Sequence, residues 1–296
     1  MGGSLTVRAS NRRDEEPVSV DRRRRLATTL AILVSTMVGC GSVAPDLVDP
    51  PQPADGPTPR LVPRVIATHP HDPMAFTQGL ELVDGRLLET TGLYGESDIR
   101  EVDRSTGRVL RHAPLAATWF GEGFTAIGDG RAIQLTWKAG RAVVWDLATL
   151  TGVDVLAYGG QGWGLCRLST DTLAMSDGSA TLALRRLADL ARIDEVTVLL
   201  DGEPVERLNE LECVDGTVWA NIWRTNTIVA IDPTTGRVTA VVDASDLLTD
   251  RSTLGDDDVL NGIAHDPASG RFLLTGKRWP VLFEVVFAPE PEEPDG

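Results

Sequence analysis

The residues of this chain best suited to proton transfer are Glu122 and Lys277, and their place in an internal repeat is what singles them out. Five short phrases recur: Gln78-Gly79-Leu80-Glu81, Glu122-Gly123-Phe124-Thr125, Trp163-Gly164-Leu165-Cys166, Asn209-Glu210-Leu211-Glu212 and Asn261-Gly262-Ile263-Ala264. Their first residues form a set with a single carboxylate, Glu122. Thirteen to sixteen residues later in each unit comes a second set: Thr91 (with Tyr94 nearby), Trp137, Asp177, Trp223 and Lys277. A carboxylate among indoles loses hydration, its pKa rises toward neutrality, and it becomes fit to carry a proton back and forth. The chain has 28 basic side chains but only two lysines, Lys138 and Lys277, which suggests that at least one of them is needed as a compact amine able to lose its proton. Taken singly, each residue has a plainer reading: Trp as strand packing, Asn and Gln as hydrogen-bonders at strand starts, Glu as a chance acid before Gly. Only convergence on one pocket argues for chemistry.

The repeat supplies that convergence. The second residues of the phrases fall at 79, 123, 164, 210 and 262, giving steps of 44, 41, 46 and 52. Units of roughly 40 to 50 residues, each with about four short strands, indicate a β-propeller, in which equivalent positions circle one axis. The two sets then meet at one mouth of the channel, because the second strand of each blade runs back antiparallel to the first. Asp84-Gly85, Asp129-Gly130 and Asp215-Gly216 fit the two-residue hairpin turns between those strands. A second turn recurs at 103–108 and 232–237, and a similar sequence at 266–271 serves the first turn of the fifth unit. In the third unit, Leu184, Leu187, Leu190 and Ile193 have helical spacing, but the repeat places strands there, including one over Val196 to Leu200. The fifth unit ends one strand short, and Arg64 to Thr68 is an orphan strand before the first. The expected fold is therefore all-β, a five-bladed β-propeller whose last blade is closed by an N-terminal strand.

Composition sets the surroundings. The 296 residues carry a net charge of -15 and are 42% hydrophobic, enough for one large core, and so acidic a chain repels phosphate backbones, which argues against nucleic acid as a partner. Residues 1–39 read as a lipoprotein-type signal peptide: Arg22 to Arg25, a 13-residue largely apolar run from Leu26 to Val38, and a Met37-Val38-Gly39-Cys40 box that nominates Cys40 for lipidation. Residues 40–63 read as a flexible tether, 64–287 as the propeller, and 288–296 as an acidic disordered tail. The expected location is the outer face of the cell membrane, with contact to the membrane only through the lipid on Cys40, or else secretion. Cys166 and Cys213 fall near the start of neighbouring inner strands. Their offsets from the ring position differ by one, which leaves both a disulfide and two buried thiols open. The three cysteines fit neither a zinc ribbon nor a Cys-x-x-Cys motif.

Other chemistries lack their parts. There is no Gly-x-Ser-x-Gly elbow and no phosphate-binding Walker loop, and the glycines at 159, 160, 162 and 164 do not open a helix. His69 and His71 are the one histidine pair at strand spacing, a weak metal candidate; no metal or cofactor is expected.

Ten motifs in order carry a resemblance over Val65 to Phe287: FTQGL (Phe76 to Leu80), GLYGES (Gly92 to Ser97), FGEGFT (Phe120 to Thr125), LTWK (Leu135 to Lys138), GWGL (Gly162 to Leu165), SDGS (Ser176 to Ser179), LNELE (Leu208 to Glu212), WANIW (Trp219 to Trp223), DVLNGIA (Asp258 to Ala264) and TGKRWP (Thr275 to Pro280). In these the chain resembles the plant and bacterial glutaminyl cyclases, or glutamine cyclotransferases. That resemblance implies a five-bladed propeller and conversion of an N-terminal glutamine of peptides or proteins to pyroglutamate with release of ammonia. It implies Glu122 as the catalytic glutamate, Asn209 and Lys277 as its assistants, and Phe76, Gln78, Phe120, Trp137, Trp163 and Trp223 around the substrate. Trp223 is preferred to Trp219 because it lies nearer the end of its strand.

Two rival readings share the fold. A non-catalytic extracytoplasmic propeller could hold peptides or glycans at the same mouth, but a pure binder has no need of the acid and amine. A calcium-dependent lactonase or phosphotriesterase needs several oxygen ligands around the axis, where this ring offers one Glu and amides.

Overall fold

The computed structural model describes residues 56–291, so the signal-peptide and lipidation expectations, Cys40 among them, lie outside the described residues. The described chain begins with strand β1 (Arg60–Pro70). The first blade is β2 (Thr77–Val83), β3 (Arg86–Thr91), β4 (Asp98–Val102) and β5 (Val109–Pro114). The second is β6 (Gly121–Gly128), β7 (Arg131–Thr136), β8 (Arg141–Asp146) and β9 (Thr151–Ala157). The third is β10 (Leu165–Arg167), β11 (Thr172–Met175), β12 (Thr181–Arg186) and β13 (Arg192–Thr197). A small hairpin, β14 (Leu199–Leu200) and β15 (Glu203–Pro204), leads to the fourth blade, β16 (Leu208–Val214), β17 (Thr217–Ile222), β18 (Thr227–Ile231) and β19 (Val238–Asp243). The fifth is β20 (Leu260–Asp266), β21 (Arg271–Gly276) and β22 (Val281–Pro289), with β1 as its outermost strand. Among the described residues there is no helix.

The N-terminal strand closes the ring as expected. β1 runs antiparallel to β22 from Leu61↔Pro289 to Pro70↔Val281. Its first two residues also pair in parallel with Val241 and Val242 of β19, joining the last two blades. The strand starts at Arg60 rather than Arg64, because Leu61 packs on the core between those blades and the backbone of residues 60–63 finds partners there. Pro63, which reads as a breaker in the sequence, is tolerated in an outermost strand. For the same reason Ala288 and Pro289 belong to β22 and not to a tail.

Local chemistry explains the turns. Asp84, Asp129 and Asp215 have φ of 50°, 50° and 48°, and the glycines after them 77°, 67° and 80°, the left-handed pair that a two-residue hairpin requires. Asp201-Gly202 does the same between β14 and β15. At the second kind of turn, Asp103, Asp232 and Asp266 each accept a hydrogen bond from the backbone N–H two residues on. In the third blade the helical spacing is overruled. Leu187 and Leu190 occupy the same turn as Leu147 and Leu150, and Leu190 and Leu150 are both left-handed and buried between blades. The strand after that turn is Arg192–Thr197, earlier than expected, and Leu199 and Leu200 go to the hairpin.

Five apolar clusters form the core, one between each pair of adjacent blades. Cys166 of β10 and Cys213 of β16 form a disulfide between the inner strands of the third and fourth blades, with Cα atoms 5.4 Å apart. The one-residue difference in their offsets is absorbed by a bulge in β16 between Leu208 and Leu211. Near the axis the inner strands approach closely. The Gly123 N–H donates to the Trp163 carbonyl at 2.8 Å. A Cβ on Gly123 would sit 2.7 Å from that oxygen, and one on Gly164 would sit 2.1 Å from the Asn209 oxygen.

A buried polar knot ties the closing strand to the first blade. His71 contacts the Trp279 carbonyl through Nδ1 (2.7 Å) and Glu89 through Nε2 (3.1 Å), and Thr77 Oγ1 donates to the same carboxylate at 2.7 Å. Burial is the largest single influence on His71 and pulls its pKa down, but the Glu89 charge and hydrogen bond, the Trp279 carbonyl and the Asp72 charge together outweigh it and hold the pKa above 6.5. His71 and Arg100 hold Glu89 below 4.5 against its own burial. The histidine's stabilising share is thus full below 6.5 and fades as pH rises through its folded value. The glutamate's share is full above 4.5 and is lost in acid. Glu89→Gln is expected to cost about 3 kcal/mol between those pH values, and less in alkali, where His71 is neutral in both proteins. Denaturant unfolding at both pH values checks this; an equal cost at both would contradict the ion pair.

Candidate active site

Four blades share one register: in the first, second, fourth and fifth the ring residue is the second residue of the inner strand, and the second strand returns beside it. In the third, Trp163 precedes β10. The N–H groups of Gly92, Trp137, Trp223 and Lys277 donate to the carbonyls of Phe76, Phe120, Arg207 and Val259, each two residues before its ring residue. This register brings Trp137, Trp223 and Lys277 over the ring. In the first blade it puts Gly92, not Thr91, at the equivalent place.

The result is a cavity of about 260 Å³ lined by Phe76, Gln78, Leu93, Phe120, Glu122, Trp137, Trp163, Asn209, Trp223, Asp257 and Lys277. All nine residues expected at the site are among them. Leu93 and Asp257 are additions. Leu93 sits in the GLYGES phrase with φ 82°, and Asp257 lies in the segment that makes the last repeat step the longest. Thr91 turns away to donate to Asp98 at 2.7 Å, and Asp177 caps Ser179 at 2.6 Å. Asn261, the fifth ring residue, is buried behind the cavity. It donates to the Thr77 carbonyl at 2.9 Å and to Gln78 Oε1 at 3.3 Å, so the Gln78 amide nitrogen is the donor left for the cavity. Trp219 lies elsewhere, packed on Phe272 and Phe287 between blades. His69 contacts Glu284 while His71 serves the knot above, and among the described residues no group of three or more His, Cys, Asp or Glu is placed to hold a metal.

The aromatic walls meet edge to face. Phe120 lies 6.2 Å from Phe76 and 5.6 Å from Trp137, and Trp163 lies 5.4 Å from Trp223. Trp137 is fixed by its Nε1–H, which donates to Gln161 at 2.8 Å. The Glu122 backbone is held by Thr90 Oγ1, which donates to its carbonyl at 2.9 Å.

The electrostatics are those of a buried acid–base pair. Glu122 is buried, and its Oε2 has no hydrogen-bond partner. Burial drives its pKa well above 4.5, with the charge of Lys277 pulling the other way. Lys277 is buried too. Its desolvation lowers its pKa to about 8, opposed by the charges of Glu122 and Asp257. Its Nζ lies 4.8 Å from the centre of the Phe76 ring. The Trp163 Nε1–H is a second buried polar group without a partner. Leaving such groups unpaired costs about 1 to 3 kcal/mol each, a cost that a ligand with matching donors and acceptors would relieve. The other lysine, Lys138, is exposed, outside the cavity.

Comparison with known proteins identifies the family and the fold. The protein-family model described as glutamine cyclotransferase matches residues 37–287. A glutaminyl-peptide cyclotransferase of Arabidopsis thaliana is 39% identical over 227 residues, covering 75% of this chain and 70% of the plant protein. The crystal structure of Myxococcus xanthus glutaminyl cyclase superposes with a TM-score of 0.72 at 36% identity, covering 80% of this chain and all of the bacterial one.

Proposed function

The chain belongs to the glutamine cyclotransferase family, and we propose that it converts the N-terminal glutamine of peptides or proteins to pyroglutamate, with Glu122 as the proton carrier. The observation that carries this reading is a buried Glu122 with an unpartnered carboxylate oxygen, lining the same aromatic-walled cavity as the buried Lys277. The substrate's α-amine nitrogen attacks the carbon of its own γ-carboxamide. A new C–N bond closes a five-membered lactam, and the old C–N bond breaks to release ammonia. Glu122 takes a proton from the attacking nitrogen and returns it to the departing one, so the enzyme ends as it began. The indoles confine the glutamine side chain to its folded conformer, and part of the rate comes from that orientation. As the carbonyl oxygen gains charge, Lys277, Asn209 or Gln78 donates to it, worth about 3 kcal/mol per well-placed donor.

The pH dependence follows from the two shifts. Activity rises as Glu122 ionises and as the substrate amine, with an ordinary pKa of about 7.7 to 8.0, loses its proton. It falls as Lys277 deprotonates around a pKa of about 8. Ammonia release from a Gln-initiated peptide, with acetyl-Gln and Asn-initiated controls, is expected only from the free Gln peptide. It should follow a bell-shaped pH profile and drop by about 10² to 10⁴ in folded Glu122→Gln. Near wild-type turnover in that variant would overturn the assignment.

Export as a lipoprotein belongs to the same proposal. It is supported by the Arg22 to Arg25 cluster, the apolar run to Val38 and Cys40 after Gly39. β1 starts at Arg60 and reaches Val281, four residues past Lys277, only at its far end, so the described N-terminal end of β1 lies away from Lys277 along the blade. Labelled fatty acid should enter the wild-type protein in cells and not Cys40→Ser; equal labelling of both would remove the anchor from the proposal.

A further inference from the structure

Lys138 is one of two lysines in the chain, and the chemistry above gives it no task. It follows Trp137 as Arg224 follows Trp223 and Arg278 follows Lys277, so three blades put a cation at the same step beyond a residue lining the cavity. Each cation lies over an aromatic wall of that cavity. Lys138 Nζ is 3.7 Å from the centre of the Trp137 ring, Arg224 Cζ 4.6 Å from that of Trp223, and Arg278 Cζ 5.0 Å from that of Phe76. The mouth therefore has a cationic collar in a protein whose net charge is -15.

The three cations are not equivalent. Arg224 pairs with Asp257 at 2.6 Å and Arg278 with Asp258 at 2.9 Å, both acids coming from the segment before β20. Asp177, also near the mouth, is turned onto Ser179. Lys138 has no carboxylate within ion-pair distance among the described residues, and it is exposed. Its amine is held at the rim by the Trp137 face and not by a counter-charge.

We propose that Lys138 is a specificity-determining residue that receives an acidic side chain within the two residues following the substrate's N-terminal glutamine. This rests on the cyclase reading. With the glutamine side chain in the cavity, the peptide must leave over the rim, and each further residue extends it by about 3.3 to 3.6 Å. A carboxylate there is attracted by one uncompensated ammonium, and a basic residue there is repelled by it, while Arg224 and Arg278 are already paired with their own acids. The attraction acts on substrate binding and encounter, not on the reacting atoms, so it belongs in KM.

The test uses C-terminally amidated peptides that begin Gln-Glu-Glu, Gln-Ala-Ala and Gln-Lys-Lys, with the wild-type protein and Lys138→Glu. Wild type is expected to favour the acidic over the basic peptide by about fivefold in kcat/KM, chiefly through KM, with the ratio shrinking in high salt. In Lys138→Glu the order should invert. An acidic preference that persists in Lys138→Glu, or no preference in wild type at low salt, overturns the proposal. If no peptide is cyclised, the cyclase reading fails instead. Quenching of tryptophan fluorescence by the same peptides then decides the collar by the same inversion or its absence.

Discussion

Five inner strands can share one axis only if each lets the backbone of its neighbour come within hydrogen-bonding distance. Gly123 and Gly164 meet that requirement directly, since a Cβ on either would collide with the next strand's carbonyl. The fourth phrase departs from the pattern with Glu210 where the others have glycine, and its side chain shows why. It is buried, and its oxygens accept the N–H groups of Leu80 at 3.4 Å and Ile263 at 2.9 Å, stitching the fourth blade to the first and fifth. The ring above this stitch is thereby held in register, and with it the carboxylate, amides and indoles of the cavity.

Around the axis four carboxylates have raised pKa values, with burial the largest cause in each: Glu81, Glu122, Glu210 and Glu212. Three of them are wired into the fold. Glu81 accepts the Ala126 N–H at 2.9 Å, Glu212 accepts that of His265 at 2.7 Å, and Glu210 makes the stitch. Glu122 alone of the four leaves a buried oxygen unpaired. A group desolvated without compensation destabilises the protein over the pH range where the unfolded chain ionises it and the folded one resists. Such a cost is tolerated where the group has work to do, and the depressed pKa of Lys277 is the matching cost on the basic side.

Much of this was legible because a propeller turns sequence period into spatial equivalence. Counting from phrase to phrase brought Gln78, Glu122, Trp163 and Asn209 to one mouth, and the antiparallel return of the second strand brought Trp137, Trp223 and Lys277 to meet them. The choice of Trp223 over Trp219 depended only on β17 ending at Ile222. What escaped was set by single-residue departures from the period. Thr91 missed the cavity because the returning register places Gly92 there. The cysteine pairing stayed open because a bulge in β16 cannot be read from apolar alternation. Asp257 went unnoticed because it sits in the longest interval of the repeat, where no equivalent position exists for comparison. The ends of β1 and β22 were misplaced because proline reads as an interruption, whereas an outermost strand accommodates it.

The central claim is that Glu122 is a desolvated carboxyl group whose affinity for protons is raised by the cavity and restrained by Lys277. Its most direct test is a titration by infrared difference spectroscopy, following the protonated carboxyl band that wild type has and Glu122→Gln lacks. The account predicts a midpoint well above 4.5, moving higher still when Lys277 is replaced by methionine. A midpoint at or below 4.5, or one indifferent to Lys277, would contradict it.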